Sequence, residues 1–106
     1  MKSRPEHVVV VHADRNVFDA IAAVLNDCGY RVTWAADWVQ LDRTSIRDPG
    51  DAYMIDELPD WAADDIAQEM EHRSKPAPAI VWLDKIREPA ILVPALRAEL
   101  EKRWNP

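Results

Sequence analysis

The sequence predicts a doubly wound α/β fold built on a parallel sheet of four strands with helices on both faces. The first apolar run, Val8–Val11, is continuously β-branched, which is typical of a strand buried on both faces. Apolar runs then alternate with longer amphipathic segments across short loops, which favours right-handed crossovers. At 106 residues there is room for one core, so we expect one domain over residues 1–106. Residues 7–84 hold four strands and three helices, and residues 88–104 hold the last helix.

The first part of the chain has the pattern strand, helix, strand. Val8–Val11 is the central first strand, and the helix that begins near Asn16 is stopped by Gly29 in a left-handed conformation. The apolar stripe of this helix consists of Val17, Ala20, Ile21, Val24, Leu25 and Cys28. Cys28 is therefore expected to be a buried packing residue. The alternating segment Tyr30–Trp34 predicts a half-exposed edge strand.

The middle of the chain continues this alternation. A short second helix begins near Trp38 and is ended by the polar stretch Arg43–Gly50, whose Asp-Pro-Gly sequence favours a turn. Ala52–Ile55 is the third strand. The segment Asp60–His72 has apolar residues at helical spacing with acids on the other side. It predicts a helix with a carboxylate-rich solvent face.

The last part of the chain contains a fourth strand and a final helix. Ala79–Leu83 is apolar and follows a proline-containing loop, which predicts a buried strand. The final helix runs from Glu88 towards Trp104. Pro94 should kink this helix or make its start irregular, because proline lacks an N–H donor. Too few residues separate the strand from the helix to form a further helix and a fifth strand.

Composition and charge exclude several classes of function. The formal net charge is −6, and Asp51–Glu71 contains eight acidic residues and no lysine or arginine. Because a nucleic-acid interface is basic, we expect no binding of DNA or RNA by this domain. The apolar run after His7 is too short for a membrane span, and a single cysteine allows no internal disulfide. We therefore expect a cytoplasmic protein that has no membrane contact and no cofactor.

Several stretches of the chain resemble a known family. They are His7–Val17, Gly29–Val32 and Ala52–Pro59. From His7 to about Arg73 the chain resembles the receiver domains of two-component response regulators, in which the third strand ends in the phospho-acceptor aspartate. The resemblance implies a flavodoxin-like sheet of strand order 2-1-3-4, with Asp56 at the acceptor position. Pro59 arrives one residue earlier than the proline of the family.

The resemblance breaks at the residues that the family uses for chemistry. There, an acid pair after the first strand and the acceptor aspartate hold magnesium, but His12 and Ala13 stand at the acid pair of this chain. Asp14 comes one residue late and is expected to cap the following helix. Asp84 stands where the family has a phosphoryl-binding serine or threonine, and Lys85 matches the family's strand-five lysine in charge alone. These residues describe a degenerate site in which no metal is expected.

The sequence leaves three functions open, of which the first is favoured. The first is a receiver-like signalling domain that acts by protein–protein contact without phosphorylation and is not an enzyme. The second is a receiver phosphorylated on Asp56, and the third is a magnesium-dependent phosphoryl-transfer enzyme that uses Asp14, Asp56 and Asp84. Structural roles for these residues are also expected: Asp56 pairs with Lys85, and Asp84 faces solvent. His12 is either hydrogen-bonded in a turn or places its charge beside Asp56.

The open edge of the fourth strand predicts an interaction surface. A bare apolar edge recruits a partner or is covered, and the start of the last helix, Ala90–Val93, is apolar all round. We expect a protein partner, or a homodimer, at the fourth strand and the last helix. The candidate contact residues are Trp82, Ile91, Leu92, Trp61 and Trp104. The alternative is a monomer in which the last helix folds over the edge.

Overall fold

The computed structural model describes residues 6–74, 76–86 and 88–104, with side chains up to residue 102. Over these residues, strands and α-helices alternate. The strands are β1 (His7–Val11), β2 (Arg31–Ala35), β3 (Ala52–Ile55) and β4 (Ala79–Trp82). The α-helices are α1 (Arg15–Asp27), α2 (Trp38–Arg47), α3 (Ala63–Arg73) and α4 (Leu92–Trp104). No helix in this part of the chain combines the length and the apolar character needed to cross a membrane.

The sheet confirms the predicted doubly wound topology. All strand pairs are parallel, and the strand order is β2-β1-β3-β4. β1 is central, with Val10 in register with Trp34 of β2 and Met54 of β3. Val8–Val11 are fully buried because helices cover both faces of the sheet. Within the described residues β4 pairs with β3 alone, so it is an edge strand.

Alternate residues of each strand enter two separate cores. Val8 and Val10 face the side covered by α1 and α4, whereas Val9 and Val11 face α2 and α3. On the first side, α4 contributes Leu92, Leu96 and Leu100. On the second side, α2 and α3 contribute Leu41, Ile66, Ala67 and Met70. The faces of the sheet are thus enclosed, and the carboxyl ends of the strands remain accessible.

The second helix is longer than predicted, because tertiary contacts hold its polar end. It continues to Arg47, although the sequence favours an end at Arg43. The hydroxyl of Ser45 donates to the Asp42 carbonyl at 3.0 Å and accepts from the Arg73 guanidinium of α3 at 2.8 Å. Arg73 also donates to the Asp42 carboxylate at 2.7 Å. A segment whose composition favours a turn is therefore kept helical by hydrogen bonds to another helix.

For the first helix, one prediction is wrong and another is confirmed. Cys28 is exposed instead of buried, because α1 ends before it and its side chain leaves the apolar stripe. Gly29 has a φ angle of 88°, which confirms the left-handed stop. Ile21 and Leu25 are buried as expected, whereas Val17 is 36% exposed. The predicted stripe is therefore split into an edge that packs on the sheet and an edge that faces outward.

The bounds of α3 and β4 also differ from prediction. α3 begins at Ala63 instead of Asp60, because Leu58 and Trp61 exchange backbone hydrogen bonds in an isolated bridge before it. Leu83 lies in a 3-10 turn instead of β4, which stops where its partner β3 stops.

The connection from β4 to α4 is irregular, as Pro94 predicts. It contains the 3-10 turns Leu83–Lys85 and Pro89–Ile91. Pro94 lies in the first turn of α4, where its missing N–H breaks no helical hydrogen bond. Over residues 83–86 and 88–91 the chain forms no further strand, which agrees with the predicted loss of a fifth strand.

Candidate functional site

The carboxyl ends of β1, β3 and β4 meet at one edge of the sheet and bring the predicted site residues there. His12, Ala13 and Asp14 follow β1, and Asp56 follows β3. Asp84 lies in the 3-10 turn after β4. Open α/β sheets bind their ligands at this edge, so it is the candidate functional site.

His12 and Asp56 form the centre of the site. The Nε2 atom of His12 lies 3.4 Å from Oδ2 of Asp56, and the side chains are 20% and 34% exposed. The Nδ1 atom of His12 accepts the backbone N–H of Asp14 at 2.9 Å, which leaves the ring proton of the neutral form on Nε2, facing the carboxylate. His12 therefore makes the hydrogen bond in a turn, and its ring also lies beside Asp56; a charge on the ring at this place stays a prediction.

The two carboxylate oxygens of Asp56 have different surroundings. Oδ1 accepts the backbone N–H of Glu57 at 2.7 Å, whereas Oδ2 faces His12. The backbone N–H of Asp56 donates to the Val11 carbonyl at 3.0 Å and extends the β1–β3 ladder. The carboxylate is therefore fixed by the end of the sheet, with one oxygen bound and the other directed at the imidazole.

Trp34 is a part of the site that the sequence did not indicate. Its indole N–H donates to the His12 carbonyl at 2.9 Å and holds the loop after β1. The indole stacks on Phe18 of α1 with ring centroids 5.6 Å apart, and the Arg15 guanidinium lies 5.4 Å from the Trp34 centroid. The pattern of Tyr30–Trp34 predicts a strand, but only the pairing of β2 with β1 brings this side chain to the loop.

Asp14 caps α1, as predicted. Its Oδ1 accepts the backbone N–H of Asn16 at 2.8 Å. Ala13, between His12 and Asp14, is exposed and offers no side-chain ligand. Among the described residues, no group of three or more histidine, cysteine, aspartate or glutamate side chains is arranged to hold a metal ion.

Asp84 and Lys85 line a depression of about 290 Å³ together with Asp56. The prediction that Asp56 pairs with Lys85 is wrong: among the described residues, Asp56 faces His12 instead. The Lys85 ammonium lies 5.7 Å from the centroid of the Trp82 ring, since the 3-10 turn directs it back over the strand. Asp84 is exposed, as expected for a carboxylate that faces solvent.

The candidate contact residues at β4 and α4 differ in exposure. Ile91 is 42% exposed, but Leu92 is only 4% exposed. The choice of Leu92 as a contact residue is therefore wrong, because it begins α4 and packs into the core below that helix. Trp82 is half-buried and packs against the core on the side of α2 and α3. The side chain of Trp104 lies outside the described residues.

Trp61 packs largely within the protein itself. Its ring meets that of Trp38 edge-on, with centroids 4.0 Å apart and an interplanar angle of 81°. The Arg73 guanidinium lies 5.1 Å from the Trp38 centroid. Both tryptophans are half-buried, so this cluster joins the start of α2 to the segment before α3 and leaves only part of Trp61 for a partner.

Several solved structures that share this fold are described as receiver domains. No protein-family model matches the chain, and no curated protein matches it. The signal receiver domain of a protein described as a LuxO repressor from Vibrio parahaemolyticus has a TM-score of 0.81 at 12% identity, over 95% of this chain and 94% of that one. A CheY-like receiver domain from Methanospirillum hungatei JF-1 has a TM-score of 0.79 at 14% identity, over 95% and 98%. A sensor protein from Polaromonas sp. JS666 has a TM-score of 0.78 at 17% identity, over 94% and 98%. These likenesses show that the chain has the receiver-domain fold.

Proposed function

We propose that this chain is a receiver-like regulatory domain that acts through protein–protein contacts, without phosphorylation and without catalysing a reaction. The observation that carries the proposal is the position of His12 Nε2, 3.4 Å from Asp56 Oδ2. The shared fold supports the signalling class, because the similar structures include receiver domains of response regulators. We place the domain in the cytoplasm, where reducing conditions keep the exposed thiol of Cys28 free.

Phosphorylation of a carboxylate needs a cation beside it, because an anionic phosphoryl group must approach an anionic acceptor. Magnesium takes oxygen ligands in near-octahedral geometry. The group beside Asp56 is instead the Nε2–H of His12, which donates hydrogen bonds and does not ligate a cation. The other ring nitrogen, Nδ1, accepts a hydrogen bond from the backbone N–H of Asp14. Within the described part of the chain, Asp56 thus stands at the acceptor position without a set of carboxylate ligands for the metal that this chemistry requires.

Phosphorylation of Asp56 is the competing function, because its side chain is 34% exposed and within reach of a small phosphodonor. A magnesium-dependent phosphoryl-transfer enzyme has less support, since Asp14 is used as a helix cap and Asp84 is exposed on a 3-10 turn. Both alternatives require a divalent cation near His12 and Asp56. Magnesium binding therefore separates them from the proposed function.

Magnesium is expected not to bind at this site. In a proton–nitrogen correlation titration to low-millimolar magnesium, the backbone signals of Asp14 and Asp56 should shift slightly and without saturation. Asp65 and Glu71 of α3, which do not line the site, provide the internal control, because exposed carboxylates attract cations weakly without a fixed site. Saturable shifts at Asp14 and Asp56 that the control signals lack would contradict the proposal.

The edge of β4 is the contact surface that we propose. Ala79 donates its N–H inward to the Asp51 carbonyl, so the alternate residues Ile80 and Trp82 direct their backbone groups to the open edge. Both of these side chains are half-buried. α4 packs on one face of β4 through residues such as Leu96, but β4 has no second strand partner in the described chain. Such an edge is a template for pairing with another chain.

We propose that two copies pair their β4 edges in antiparallel orientation about a two-fold axis, which makes one continuous sheet. A contact of this kind is self-complementary, since the same backbone groups of Ile80 and Trp82 donate and accept in both copies. Ile91, 42% exposed at the end of the 3-10 turn before α4, is the apolar side chain that we expect next to this contact. A heterologous partner would add a strand to the same edge.

Sedimentation velocity is expected to show a dimer whose share rises with protein concentration. Ile80→Lys places a charge on the edge strand and should leave a monomer with only a small loss of stability, since a lysine stem keeps much of the apolar contact. Ile46→Lys is the matched control, because Ile46 is 70% exposed on α2 and the dimer should persist. A wild-type chain that stays monomeric at high micromolar concentration would rule out self-association through β4.

A further inference from the structure

A cleft of about 460 Å³ opens beside the His12–Asp56 pair. One wall is α1, and the other is the connection between β4 and α4, which contributes Leu83 and Ile86. Sites for small molecules have volumes of about 300–1,000 Å³ and mostly apolar walls. The size and the walls of this cleft therefore fit a small-molecule ligand.

The outward edge of the α1 stripe forms the first wall. Val17, Ala20 and Val24 line the cleft at helical spacing; Val24 also packs partly against the core, whereas Val17 and Ala20 form the exposed edge of the stripe. Val17 is 36% exposed, and Ala20 is also exposed. A helix that packs on a sheet with one face usually carries polar residues on its flank. Apolar residues at this flank, facing half-exposed Leu83 and Ile86, indicate a surface that binds an apolar body.

The charged side chains that line the cleft indicate whether its ligand is a cation or an anion. Among the described residues that line the cleft, Asp56 and Glu88 carry carboxylates, and they lie beside the imidazole of His12. An anion would meet these carboxylates, and a neutral molecule would remove water from Asp56 without supplying a charged donor in return. An ammonium group supplies both the opposite charge and N–H donors, and hydrogen bonds between ionised groups are the stronger kind.

We propose that the cleft binds an amphiphilic cation, a small molecule with an ammonium group and a hydrocarbon body. The ammonium group is held by Asp56, with Glu88 adding to the negative potential, and the body lies against Val17, Ala20 and Ile86. This inference goes beyond the contact role of the domain and does not depend on dimerisation. It also gives Asp56 a use that requires no phosphoryl transfer.

Octylamine at neutral pH, where it is an ammonium ion, is the probe that tests the proposal. Octan-1-ol and octanoate have the same chain with a neutral or an anionic head. In a proton–nitrogen correlation titration, octylammonium should shift the amide signals of α1 and of residues 83–86 and 88–92. We expect it to bind about ten- to a hundredfold more tightly than either analogue, which corresponds to one hydrogen bond between charged groups.

Variants on α1 and at Asp56 keep the test specific. Ala20→Trp fills the cleft and should abolish binding, whereas Ala23→Trp, at an exposed alanine of α1 that does not line the cleft, should leave it unchanged. Asp56→Asn should weaken octylammonium about tenfold and leave octan-1-ol unaffected. Equal affinities for the three probes would overturn the assignment of a cation. Absence of saturable binding, or equal losses in both tryptophan variants, would overturn the site itself.

Discussion

Replacing Leu96 with alanine is expected to lower the free energy of unfolding by about 2–5 kcal/mol. Leu96 is fully buried in α4 and belongs to the same core as Val10, Met54 and Val81 of the sheet. The substitution removes dispersion contacts and leaves a cavity that the surrounding strands fill only in part. Urea unfolding followed by circular dichroism measures the difference.

Ile46→Ala is the control for this experiment. Ile46 is 70% exposed on α2, so its truncation should change the free energy of unfolding by no more than about 0.5 kcal/mol. The comparison tests whether α4 belongs to the core, which matters because no fifth strand supports this side of the sheet in the described chain. Equally small losses for Leu96→Ala and Ile46→Ala would show that α4 does not pack on the sheet in solution.

Replacing His7 with alanine is expected to lower the free energy of unfolding by about 2–4 kcal/mol. His7 is 1% exposed at the start of β1. The Pro49 carbonyl, 3.2 Å from Nδ1, can only accept, so Nδ1 donates to it, and Nε2 shares a hydrogen bond with the Thr33 hydroxyl at 2.7 Å. The ring thus joins β1 to β2 and to the loop before β3. Its removal leaves a cavity and breaks both hydrogen bonds.

His7→Leu separates packing from hydrogen bonding at this position. Leucine fills much of the same volume but makes neither hydrogen bond, so a loss of about 1–3 kcal/mol is expected. His72→Ala, at an exposed position of α3, is the control and should change stability by no more than about 0.5 kcal/mol. If His7→Leu were as stable as the wild type, the imidazole would contribute through packing alone.

The sheet is the part of the fold that the sequence predicts best, because burial on both faces leaves a mark in the composition. Val8–Val11, Ala52–Ile55 and Ala79–Leu83 are apolar runs without helical periodicity, and each coincides with a strand to within one residue. The predicted and observed bounds of the strands differ by at most one residue. Helix ends are less well predicted, because hydrogen bonds from other elements decide where polar segments stop being helical.

The details of the site depend on contacts that no local pattern carries. The Asp14 cap was predictable, since a polar residue before an amphipathic segment has a standard role. The orientation of His12 was not, because it depends on the direction of one backbone N–H and on the indole of Trp34 from a neighbouring strand. The position of Lys85 was missed for the same reason, since the 3-10 turn after β4 has no periodic pattern that predicts it.

Incubation with acetyl phosphate and magnesium, followed by intact-mass measurement, tests most directly whether Asp56 is a phosphorylation switch. We expect the mass of the unmodified chain, because the Nε2–H of His12 faces Asp56 where receiver domains have a metal-binding acid. A phosphorylatable receiver domain in the same tube shows that the phosphodonor is active. A stoichiometric gain of one phosphoryl group that disappears in Asp56→Ala would contradict the account.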